Sequence, residues 1–117
     1  MGRLGNYLRT QRRKWHLTQG ELAFLLGYLD QSIIARLERE ERSVTLDVAR
    51  ACKVIFGDEP REIFPMVFES VDEGVLARLR QLRERLSGMR ESGKTRAKLQ
   101  LVQQAIERMT AVEEREV

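Results

Sequence analysis

Apolar positions in this chain recur at intervals of three and four and come in short runs, each closed by a glycine, a histidine or a proline. That period predicts helices, and the brevity of the runs predicts several of them. Leu4, Leu8, Gln11 and Trp15 set out a first helix over Leu4 to Trp15. His16 ends it, as a residue able to take the left-handed conformation after a helix. Thr18 followed by Glu21 reads as a capping box, so a second helix starts there, with Leu22, Ala23 and Leu26 inward and Gly27 as its stop. A third runs from about Asp30, which can cap free N–H groups, to about Glu40, with Ile34 and Leu37 as its buried pair. Thr45 caps a fourth containing Leu46, Ala49, Cys52, Ile55 and Phe56, closed by Gly57. Pro60, suited to a helix's first turn, opens a short fifth with Ile63 and Phe64 inward.

Beyond Pro65 the texture changes to long charged segments with two apolar stripes, and a boundary falls between Pro65 and Asp72. Val75, Leu79, Leu82 and Leu86 are spaced 4, 3, 4, while Leu99, Val102, Ile106 and Met109 are spaced 3, 4, 3. Two helices joined by a turn follow. Residues 1–65 and 66–117 are therefore read as two parts, a five-helix domain and a C-terminal helical hairpin. A hairpin leaves apolar surface uncovered, and a second copy related by two-fold symmetry would cover it. Those eight stripe residues are thus expected to dimerise the protein.

Composition agrees with an all-α chain. Among 117 residues 33% are charged and only 6% aromatic, which disfavours a large sheet core. No apolar run approaches the ~20 residues of a membrane span, and the basic start is not followed by a signal-peptide core, so a cytoplasmic protein with no membrane partner is expected. Cys52 and His16 stand alone. An internal disulfide, a paired-Cys metal site and an HExxH pattern are excluded, and no glycine-rich phosphate loop is expected. Accordingly no catalytic residue, metal or cofactor is expected, and Cys52 on its apolar stripe reads as a small core residue.

Charge distribution narrows the function. The net charge is +3, yet residues 1 to 16 carry Arg3, Arg9, Arg12, Arg13 and Lys14 with no acid. Such a patch suits a polyanion. Arg78, Arg80, Arg83 and Arg85 alternate around their helix and read as a solvated face.

The segments LRTQRR, LTQGELAFLLG, IARLERE, TLDVARA and EIF, taken together, resemble the XRE-type family of bacterial and phage regulators, which includes the lambdoid phage repressors and Cro proteins. The resemblance covers about Leu4 to Pro65. It implies a lambda-repressor-like helix-turn-helix domain whose third helix enters the major groove of an operator with two half-sites. It further implies that Gln31, Ser32, Ile33 and Arg36 contact bases, where a well-placed Arg or Gln discriminates by ~1 to 3 kcal/mol. Thr18, Gln19, Arg13, Arg39 and Arg42 would hold phosphates. Arg12 and Glu38 would form a structural ion pair. Three departures stand out: a turn one residue longer between Gly27 and Glu38, Glu40 where Gly is usual, and His16 where Gly is usual.

The function expected is a sequence-specific DNA-binding transcriptional regulator, a dimeric repressor. The alternative is an antitoxin-like or anti-activator protein whose C-terminal helices bind a protein partner. A catalytic or ligand-sensing unit in 66–117 is disfavoured, because that segment lacks His and Cys and is too short to enclose a sizeable pocket.

Overall fold

The computed structural model describes residues 5–116, and among these it has seven helices and no strand. They are α1 (Leu8–Lys14), α2 (Gln19–Leu26), α3 (Ser32–Glu38), α4 (Leu46–Phe56), α5 (Pro60–Ile63), α6 (Pro65–Ser87) and α7 (Gly93–Glu116). The chain divides into two compact units between Glu69 and Ser70, a point that lies inside the continuous α6.

In the first unit the core is built from Leu8, Leu22, Ala23, Ile34, Leu37, Val48, Cys52, Ile63 and Phe64. No helix here exceeds 11 residues. Helices this short are marginal alone, so their order depends on caps and on shared packing. The caps are present. Thr18 Oγ1 accepts from Glu21 N at 3.0 Å while Glu21 Oε1 accepts from Thr18 N at 2.9 Å, starting α2. Asp30 Oδ1 accepts from Ser32 N at 2.9 Å, Thr45 Oγ1 accepts from Val48 N at 3.3 Å, and Pro60 occupies the first turn of α5. Gly27 and Gly57 close α2 and α4 at φ 84° and 81°, where a Cβ would be strained.

Several expectations are corrected. The first helix begins at Leu8, not at Leu4, which lies with Arg3 outside the described residues. The residues just before Leu8 are committed elsewhere: Tyr7 N donates to Ile63 O at 2.7 Å, and Asn6 Nδ2 to Leu37 O at 3.0 Å. Asn6 Oδ1 meanwhile accepts from Leu8 N. Trp15, expected on the buried stripe, is exposed with the Lys14 ammonium 5.4 Å from its ring centroid, and Arg12 is buried in its place. The third helix is two residues shorter at each end than expected. On α4 the expected Cys52, Ile55 and Phe56 do face the core, but Leu46 is exposed and Val48 is buried in its place.

The second unit is a helical hairpin. Leu76, Leu86, Val102 and Ile106 are buried together, with Leu79, Leu99 and Met109 packed against them. Six of the eight stripe residues expected to dimerise the protein are thereby used within the hairpin. Val75 and Leu82 remain exposed, and Leu76 takes the inward place expected for Val75. Val71, Val75 and Leu82, separated by four and seven residues, form a second, outward stripe on α6.

His16 at φ 58° and Glu40 at φ 63° close α1 and α3 in the left-handed region. That conformation costs a non-glycine residue roughly 1–2 kcal/mol, against a smaller entropic cost of glycine in the unfolded chain. His16→Gly and Glu40→Gly are each expected to raise stability by up to about 1 kcal/mol, read as a rise of a few degrees in Tm. Unchanged or lowered midpoints in both variants would contradict this account of the two turns.

Candidate functional site

The site begins with a buried charge. Arg12 on α1 points inward with only 9% of its surface exposed, and such a guanidinium is stable only if its donors are satisfied. Its Nε donates to Glu38 Oε2 at 3.0 Å and its Nη2 to Glu38 Oε1 at 2.9 Å, while Nη1 donates to Leu17 O at 3.0 Å. This fork-to-fork pair ties the middle of α1 to the last residue of α3. Gln19, the first residue of α2, adds a weak bond from Nε2 to Glu38 Oε1 at 3.4 Å.

Around this pair opens a cleft of about 580 Å³, lined by Arg9, Arg12, Arg13, Thr18, Gln19, Gln31, Ala35, Glu38 and Arg39. Arg12 and Glu38 neutralise each other at its floor. Arg9, Arg13 and Arg39 are exposed on its walls, so the cleft presents net positive charge and amide donors to solvent. It holds neither a nucleophile with a base beside it nor a cluster of carboxylates. What it can do is bind an anion or a polyanion.

Of the residues expected to contact phosphate, Arg13, Thr18, Gln19 and Arg39 are brought together in this cleft, and Arg9 joins them. Arg42 is not among them. It lies in a separate groove with Asn6, Leu37, Glu40, Glu41, Ser43, Val44 and Val67, its guanidinium 5.4 Å from the centre of the Tyr28 ring. Arg39 is engaged in a bidentate pair with Glu41, Nε to Oε1 and Nη2 to Oε2, each at 3.0 Å. Those bonds hold the Glu41 carboxyl below its ordinary range.

Of the residues expected to contact bases, Gln31 and Arg36 are exposed and Ser32 is half-buried. Gln31 lies over Gly20, where an added Cβ would sit 3.3 Å from its Oε1, so the small residue at the start of α2 leaves room for it. Asp30 beside them is held ionised below its usual range, first by the Ser32 N–H and then by the Ser32 side chain. Ile33 is half-buried, as Ser32 is, and packs against the core with Ile34 and Leu37. A seven-residue helix has little core-facing surface, and Ile33 is drawn in to widen it.

Cys52 is fully buried, and loss of hydration pushes its thiol up to about 11, which leaves it unreactive in the folded chain. Among the described residues no group of three or more His, Cys, Asp or Glu is placed to hold a metal ion, and no helix is long and apolar enough to cross a membrane.

One pattern escaped the expectation that the chain has no phosphate loop. Gly88, Gly93, Lys94 and Thr95 have the spacing G-x-x-x-x-G-K-T. That motif requires a strand before it and backbone N–H groups converging on a phosphate. Here it follows α6. Gly88 N and Met89 N donate back to Arg85 O and Leu86 O, each at 3.2 Å, and Thr95 N donates to Ser92 Oγ at 3.1 Å. Thr95 itself is buried, its hydroxyl within 3.1 Å of Ser92 Oγ and 3.4 Å of Arg90 O. The segment is a helix stop followed by a helix cap.

Comparisons with protein-family models, with curated proteins and with solved structures gave no match.

Removing one partner of a buried pair leaves an uncompensated charge. Arg12→Met and Glu38→Leu are each expected to destabilise by about 3 kcal/mol, and the double variant by less than the sum. Denaturant unfolding of the three variants checks this. Additive losses would mean that the two side chains do not act as a pair.

Proposed function

We propose that this chain is a sequence-specific regulator of transcription that binds double-stranded DNA as a homodimer, in the manner of a repressor. The observation that carries the reading is the cleft where α1, α2 and α3 converge. Arg9, Arg13, Gln19 and Arg39 stand on its rim, and Gln31 and Arg36 stand exposed on the short helix beside it. In this reading α2 and α3 with their turn form a helix-turn-helix element. The rim side chains grip phosphates, and Gln31, Ser32 and Arg36 reach base edges in the major groove. Ile33, packed against the core, also supports the helix from below. Arg42, outside the cleft, has a lesser part.

Binding is expected to weaken steeply with salt, by ~0.9 in logarithmic slope for each phosphate neutralised. Arg39→Ala should weaken specific and random duplex about equally, Arg42→Ala should do so less, and Glu41→Gln should strengthen both by freeing Arg39. Gln31→Ala and Arg36→Ala should instead relax preference at one base position per half-site. Fluorescence anisotropy across a salt series, with sites selected from a random duplex pool, measures all of these. A flat salt response would sink the proposal.

The hairpin supplies the dimer contact in this reading. A second copy covers the outward α6 stripe of Val71, Val75 and Leu82, since the inward stripe is already buried within the hairpin. One short helix reads few base pairs, and two half-sites about one helical turn apart provide the remaining affinity. Val75→Glu with Leu82→Glu should yield a folded monomer by light scattering with weaker binding to a two-fold site. Replacing Ile106 should instead unfold the hairpin. If the chain is a monomer at tens of micromolar, the stripe serves a different protein, as an antitoxin-like or anti-activator role would require.

A further inference from the structure

Residues Gly27 to Gln31 join α2 to α3, and all but one have a structural task. Gly27 turns the chain through the left-handed region, and Tyr28 N donates to Ala23 O at 2.8 Å while its half-buried ring packs on the core. Asp30 caps α3 through the Ser32 N–H, and Gln31 O accepts from Ile34 N at 3.0 Å and from Ala35 N at 3.3 Å as the helix starts. Leu29 alone has no such role. Its relative exposure is 107%, the highest of the large apolar residues in the described chain.

An exposed leucine is ordinary by itself. This one, however, stands two residues before Gln31 and three before Ser32, at the leading edge of the helix assigned to base reading. On its C-terminal side Asp30, Gln31 and Ser32 are all polar, and on the other the Tyr28 ring is turned to the core and leaves it uncovered. On a DNA duplex the phosphates and the base-edge donors and acceptors offer a leucine nothing. The thymine 5-methyl group is the apolar feature displayed in the major groove.

We infer that Leu29 is a specificity-determining residue that packs on a thymine methyl at the edge of each half-site. The inference rests on the DNA-binding reading of α3 and adds to it a contact that carries no hydrogen bond. It makes the turn, and not only the helix, part of the reading surface. It also sets the polarity of the half-site, with the thymine lying beside the base that Gln31 reads.

The test uses the full-length chain and duplexes it selects from a random pool, resynthesised with each thymine replaced singly by deoxyuridine. That substitution removes the methyl and keeps every hydrogen-bonding group. Burying one methyl predicts about fourfold weaker binding at one thymine per half-site. Leu29→Ser should bind thymine and deoxyuridine duplexes alike, with the wild-type salt slope and Tm, and Leu29→Met should retain the preference. If wild type is indifferent to every replacement, or if Leu29→Ser keeps the full thymine preference, the inference is overturned while DNA binding stands. If the chain enriches no duplex, the DNA-binding reading fails and takes this contact with it.

Discussion

The first unit depends on one buried ion pair. Arg12 and Glu38 lie on helices of seven residues each, neither long enough to persist alone, and their fork-to-fork bonds fix where α3 ends against the middle of α1. Once that point is set, the rest of the site follows. The Leu17 carbonyl and the Gln19 amide converge on the same two side chains, so the loop before α2 and its first residue are drawn to the floor of the cleft. The pair contributes little net charge. What it contributes is geometry, because a guanidinium that is nine-tenths buried tolerates few alternatives to its partner.

The polar face of α3 is open for the same reason. With its C-terminal end held by Arg12, and its other end by the Asp30 cap and the left-handed Gly27, α3 needs only Ile34, Leu37 and part of Ile33 to seat it. Gln31, Ala35, Arg36 and Arg39 are released from packing and line or flank the cleft. Arg39 is held in a surface pair with Glu41 that is open to screening by solvent and contributes little to stability. The site is thus assembled from a buried, hydrogen-bonded floor and exposed arginine walls.

The second unit solves a different problem. Its helices of 23 and 24 residues gain order from each other, by burying Leu76, Leu86, Val102 and Ile106 between them. Two facing helices can each cover one stripe. Val71, Val75 and Leu82 are left exposed on α6.

Much of this was legible from residue order alone, wherever the governing interaction is local. The capping box at Thr18 and Glu21, the Asp30 and Thr45 caps, the stops at Gly27 and Gly57 and the left-handed His16 each involve residues within a few positions of one another. The helical period did the rest for Leu22, Ile34, Leu37, Ile63 and Phe64. What residue order could not decide was which contacts win between distant segments. Asn6 and Tyr7 leave the first helix because Leu37 and Ile63, remote in sequence, offer their backbone carbonyls. Trp15 stays outside, and Arg12 goes in because Glu38 and the Leu17 carbonyl satisfy its donors there. The inward register on α6 falls at Leu76 and not Val75, one step around the helix, because the partner helix approaches from that side. Helices, caps and turns are properties of neighbours along the chain. The Arg12–Glu38 pair, though distant along the chain, was expected from the family resemblance and is present. Which face of each helix is buried belongs to the packing of helices far apart in sequence, and only the tertiary structure decided it.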